Sequence, residues 1–186
     1  MNFNLVTQVN IGELTDVKVK KIQDKFSGYF KNGVVMPGQL VMMGQSSQVI
    51  LQENQIQCIF DESSIENIGE ALSGIQDLLL LNEVFTEIIL VASDVKESKV
   101  DTMEYSKEKF MSLIQNSIGL GIREFFIYKD MLCEFKVEPY ISDKSKWYIS
   151  AQYNLKNIDV NSIKCVLKDA FDDYNVKCKE INPKIS

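Results

Sequence analysis

Gln48-Val49-Ile50-Leu51-Gln52-Glu53-Asn54-Gln55-Ile56-Gln57-Cys58-Ile59-Phe60 decides the fold class of this chain. Two short β-branched and aromatic runs flank the pair Glu53-Asn54, the length of a tight hairpin turn. With that turn, Leu51 faces Ile56 and Val49 faces Cys58, so the apolar positions of both strands fall on one face. Cys58 is then a core residue. Upstream, Leu40 to Met43 reads as a short strand, Gly44 to Ser47 as its turn, and Pro37-Gly38 as the turn signal before it. Downstream, Ser63-Ser64-Ile65-Glu66 has the form of a capping box, opening a helix with the stripe Ile65, Ile68, Leu72, Ile75 and Leu79. Further out, residues 3 to 11 alternate as a half-buried strand carrying Phe3, Leu5, Thr7, Val9 and Ile11. Thr15 or Asp16 caps a helix to about Phe30 with the stripe Val19, Ile22, Phe26 and Tyr29 or Phe30, ended by Asn32-Gly33.

The second half repeats this order. Val84 to Val91 reads as a central strand, Ser93 to Val100 as a charged loop, and Asp101-Thr102-Met103-Glu104 as a second cap. The helix it opens turns Phe110, Leu113, Ile114 and Ser117 inward and ends at Gly119 and Gly121. Strands follow at Ile122 to Tyr128, Leu132 to Glu138 and Trp147 to Leu155, the last two alternating strictly. A final helix from Asn157 or Asp159 buries Ile163, Val166 or Leu167, Ala170, Phe171 and Tyr174, and Val176 to Ile181 is expected to add a short strand. The string is β-α-β-β-β-α twice. The expectation is an α+β fold: two tandem units forming one curved, mainly antiparallel sheet of about eight strands, helices on one face. That is a single domain, 1-186, with pseudo-repeat halves 1-83 and 84-186. In topology the arrangement resembles the two-repeat saddle of TATA-box-binding proteins. The chain lacks their basic, DNA-facing surface, so the resemblance implies a fold and no function.

Composition narrows the chemistry. The 186 residues are 45% apolar and 25% charged, an ordinary globular balance in a chain long enough to bury about 70% of its unfolded surface. There is no histidine, which removes Ser-His-Asp triads, Cys-His dyads and Cys2His2 zinc sites. The basic residues include a single arginine, Arg123, and the net charge is −6. A chain without arginine forks and with a pI near 4.8 is not expected to bind nucleic acid. Richness in Lys, Ile and Asn matches an AT-rich genome, as in low-GC bacteria and their phages. The cysteines, Cys58, Cys133, Cys165 and Cys178, have no CxxC spacing, and the N-terminus has no signal-peptide pattern, so the expectation is reduced thiols and a cytoplasmic location. The longest uncharged stretch, Asn32 to Gln52, is broken by glycine, proline and glutamine and does not read as a membrane span.

Candidate chemistry is sparse. Gly119-Leu120-Gly121 sits between helix and strand, the reverse of a dinucleotide-binding turn, and reads as a helix end. Asp169, Asp172 and Asp173 share a helix face and are the only metal candidates; a solvated face is the plainer reading. Cys165 and Cys178 are expected to be the more reactive thiols, Cys58 and Cys133 inert packing. Lys18, Lys21 and Lys25 form one basic stripe, and Lys144 with Lys146 forms a small patch near Trp147. Ten of the 18 aromatics lie between residues 122 and 174, and the second half has a net charge of −1 against −5 for the first. The expected binding surface is therefore an open second-half face with Phe126, Tyr128 and Tyr148, flanked by Lys144 and Lys146. The leading functional expectation is a non-enzymatic protein that recognises a protein partner, a second copy of itself included, through an open sheet face or edge. The alternative is a small-molecule or nucleotide-signal binder that sequesters its ligand, as a phage-encoded protein could. An enzyme using carboxylates or a cysteine ranks last. No cofactor is expected.

Overall fold

The structure, a computed structural model, describes residues 1–81, 84–109, 117 and 119–185, without the side chains at 183 and 184. Its elements are β1 (Asn2–Gln8), α1 (Asp16–Phe26), β2 (Asn32–Met36), β3 (Gln39–Met43), β4 (Ser47–Gln52), β5 (Gln55–Phe60), α2 (Ile65–Leu79), β6 (Val84–Glu97), α3 (Thr102–Lys109), β7 (Ile122–Tyr128), β8 (Met131–Pro139), β9 (Lys146–Asp159) and α4 (Ile163–Ile185). The strands make one antiparallel sheet in the order β2-β3-β4-β5-β1-β6-β9-β8-β7. The first strands of the two units, β1 and β6, pair at its centre with Leu5 opposite Leu90. Each then carries its own unit's last strand, β5 or β9, and the remaining strands run outward as a meander. This is the expected α+β architecture, an open curved sheet with helices on one face.

The decisive hairpin has the expected register: Leu51 lies opposite Ile56 and Val49 opposite Cys58, and all four are fully buried. They join Phe3, Leu5, Ile68, Leu72, Leu90, Trp147 and Tyr174 in one core between sheet and helices. α2 and α4, the last helix of each unit, pack on each other and on β5 and β9 respectively. The large aromatics enter this core because each polar tip finds a partner there. Trp147 Nε1 donates to the Ile185 carbonyl at 3.0 Å, Tyr174 Oη to the Ile149 carbonyl at 3.0 Å, and Tyr153 Oη to Asp173 Oδ2 at 2.8 Å.

Local expectations fail where two signals compete. Asn32 to Met36 is a ninth strand, because Pro37-Gly38 closes a hairpin with Met36 opposite Gln39 and Gly38 takes the positive φ of 75° that such a turn requires. α1 stops at Phe26, whose carbonyl accepts from the amides of both Tyr29 and Phe30. The capping box is replaced by a 3-10 turn over Glu62–Ser64. Asp61 captures the Ser63 hydroxyl at 2.6 Å, and Ser64 makes no side-chain cap bond. That hydroxyl, more than any other group, holds the Asp61 carboxyl below its ordinary range. The second cap does form, with Asp101 Oδ1 accepting from the Met103 and Glu104 amides. β6 continues through the expected loop to Glu97, since β9 offers a partner as far as Lys146. The expected tail strand is the end of α4: Tyr174, Cys178 and Ile185 continue one buried stripe at helical spacing. The inward positions expected at Phe110, Leu113 and Ile114 lie outside the described residues.

Candidate functional site: the open sheet face

A side chain next to a core position on a strand points to the other face, so the buried set fixes what is displayed on the face away from the described helices. From one edge, Ile127 of β7 lies opposite Leu132 of β8, whose carbonyl accepts the Asn154 side-chain amide at 2.9 Å. Asn154 lies opposite Ile89 and Ile89 opposite Val6. The row continues through Gln57, Ile50, Val41 and Val34. It crosses nine strands, about 40 Å at the usual strand spacing, without a charged residue. Ile127 is 68% exposed, Leu132 58% and Val34 44%.

Around this row the two halves differ. None of the residues in β1 to β5 is charged. Six of their polar positions on this face are amides that bond in pairs: Gln8 to Gln55 at 3.1 Å, Gln57 to Asn4 at 3.0 Å and Gln52 to Gln39 at 3.2 Å. Amides already paired with amides lose less on leaving water than ions do. On the second half, Glu134 is held by Lys136 at 2.6 Å and Arg123 at 3.6 Å, beside Phe125, which lies opposite it and is 62% exposed.

The residues expected to form the binding surface are dispersed. Tyr148 sits on the open face opposite Val95. Phe126 and Tyr128 do not: both turn to the helix side and meet the Tyr153 ring edge-on, at 5.7 and 5.1 Å between centroids. The phase expectation fails because β7 is an edge strand whose helix-side residues are only partly covered, so its aromatics mark the rim of the core. Lys177 Nζ caps the Phe126 ring at 4.0 Å. Lys144 is paired with Asp101 at 3.1 Å, and Lys146 with Asp143 at 3.2 Å and Glu97 at 3.3 Å. Neither lysine presents an uncompensated charge to an anion.

No family model matches the chain, and no curated protein matches it in sequence. Function is therefore argued from the surface.

The other candidates resolve into structural roles. Asp169 pairs with Lys129 at 2.8 Å, while Asp173 serves Tyr153 and Lys177. Among the described residues no three carboxylates or thiols converge on a point that could hold a metal ion. Burial, then the Asp173 contact, pushes the Tyr153 phenol far above its ordinary value. Cys165 is exposed, but Cys178 is buried, and burial pushes its thiol up, so it is not a reactive thiol. Cys58 is raised further by complete burial. A polar cleft of about 850 Å³ lies between the end of α1, the β3–β4 turn and the start of α2, lined by Lys31, Ser46, Ser47, Ser63, Ser64 and Asn67 among others. Among the described residues no helix is long and apolar enough to cross a membrane.

The missed signal was in the sequence. The uncharged stretch Asn32 to Gln52 matters for what it displays as three adjacent strands at one end of the sheet.

Proposed function

We propose that this chain is a non-catalytic binding protein that docks a protein partner on its open sheet face. The charge-free row from Ile127 to Val34 carries this reading. Stable interfaces are depleted in charge at their centre and rimmed by polar groups, and paired amides beside exposed aliphatics supply that surface here. An open face of this span suits a folded partner better than a small ligand, which would need an enclosing pocket. Ile89→Lys places a charge at the middle of the row while sparing the core. Native mass spectrometry should show a defined polypeptide other than this chain retained by the wild type and lost from Ile89→Lys at an unchanged melting temperature. A wild type with no second polypeptide, or a variant that keeps it, refutes the reading.

The 850 Å³ cleft favours one second reading, a small anionic ligand held by Lys31 and the first turn of α2. A retained small mass that disappears in Lys31→Ala would support it.

A further inference from the structure

We infer that two copies of this chain also join edge to edge through β2, about a two-fold axis at Val34. The inference goes beyond the docking of a partner on the open face: this contact lies at the sheet's edge and leaves that face free. β2 is the terminal strand of the described sheet, and among the described residues no backbone hydrogen bond reaches its outer side. Every residue of it is exposed, with Val35 at 55% and Met36 at 41%. Exposed edges are ordinarily guarded by charge or proline within the strand. The opposite edge, β7, carries Arg123 and Glu124; β2 carries neither guard.

Hairpin geometry fixes the register. The two-residue turn at Pro37-Gly38 makes Met36 and Gln39 a hydrogen-bonded pair, so Met36, Val34 and Asn32 direct their amides and carbonyls inward to β3. The outward groups are those of Gly33 and Val35. Antiparallel pairing with a second β2 centred on Val34 sets Gly33 against Val35 twice, using both outward pairs, and sets Val34 against Val34 of the second copy. The two charge-free rows, each ending at Val34, then become one.

The self-matching register suits a second copy, and charge confines the contact to this edge. Each copy carries a net charge of −6, so two copies repel over most of their surfaces. They can meet where charge is absent, and β2 with β3 and β4 behind it is such a place. The dimer should consequently tighten as salt screens the repulsion, whereas a basic partner would be released.

Light scattering after size exclusion should give twice the 21.3 kDa chain mass. Val34→Lys, which opposes two like charges on the axis, should weaken the dimer about tenfold or more without changing the melting temperature of the dilute, monomeric chain. In a Cys165→Ser background, Val34→Cys should form an interchain disulfide under mild oxidation, because facing residues in a non-hydrogen-bonded pair have Cα atoms about 4.5 Å apart. Met36→Cys, which faces Asn32 of the second copy, should not. A single-chain mass at millimolar concentration overturns the inference, as does a dimer indifferent to Val34→Lys. If that indifferent dimer is lost in Ile89→Lys, the binding face stands and the edge inference alone fails.

Discussion

The two halves of the sheet share an architecture and differ in what they show to water. β1 to β5 contain no charged residue, whereas β6 to β9 contain twelve. By total charge the order is reversed, −5 for residues 1-83 and −1 for 84-186. Both facts hold because the acids of the first half lie on its helices, turns and loops, such as Asp16, Asp24, Glu66 and Glu70, and none lies on a strand. The lesson is that charge summed over a segment says little about a surface; the element that carries the charge decides. A face can be made for association inside a half that is acidic overall.

The sharpest test of this division concerns the two faces of the central pair. Leu5 and Leu90 oppose each other on the helix side and are fully buried. Leu5→Ala or Leu90→Ala should cost about 2–5 kcal/mol, the range for a buried leucine. Val6 and Ile89 oppose each other one position on, on the open face, and their alanine variants should cost clearly less. Urea unfolding of the four variants would read the contrast; equal losses would mean that the open face is also core.

Alkaline pH sharpens the comparison from the other side, since the raised phenols of Tyr153 and Tyr174 are both second-half groups. A phenol whose folded pKa lies above its unfolded value stabilises fully below the unfolded value. That stability is lost as the pH rises above it, because only the unfolded chain ionises readily. The loss should begin near pH 10, the ordinary tyrosine value. Tyrosinate absorbance from these rings should then appear together with unfolding. Tyr153→Phe should flatten the slope, and an unchanged slope would count against the burial of this ring.

Much of this arrangement was legible in the sequence, and the limits have physical causes. The register of the 48–60 hairpin follows from its turn length and apolar phase alone, and the order of the elements other than β2 and the end of α4 follows from the alternating periodicities. β2 was not legible, because Gly33 and Pro37-Gly38 are equally good signals for a helix end and a loop. Only pairing with β3 makes Val34-Val35-Met36 a strand. The face of Phe126 and Tyr128 was not legible either. Alternation assigns residues of one strand to two sides, and which side carries helices depends on how β7 aligns with β8, where Phe126 lies opposite the buried Cys133. Tyr148, anchored by the unambiguous Trp147 beside it, was placed on the open face by the same reasoning.

A smaller effect separates the charged face from the uncharged one. Glu134→Gln removes the negative charge shared by Lys136 and Arg123, partly exposed pairs of the kind worth at most about 1 kcal/mol. It should shift thermal stability slightly and leave association intact. Gln57→Lys on the first-half face should change stability as little and abolish partner binding on that face. If Glu134→Gln were the variant that lost the partner, the binding surface would belong to the second half.

The smallest effect is expected at the thiols, and it checks that the helix side is not the docking side. Cys165 is exposed on α4, while Cys58, Cys133 and Cys178 are buried, each with its thiol pushed up chiefly by burial. A native thiol titration should therefore show one fast reaction, removed by Cys165→Ser, with the other three released only on unfolding. Because α4 covers the face opposite the row, a bulky label on Cys165 should leave both melting temperature and association unchanged. Loss of association on labelling would move the contact to the helix layer, and with it the significance of every uncharged strand position in the first half.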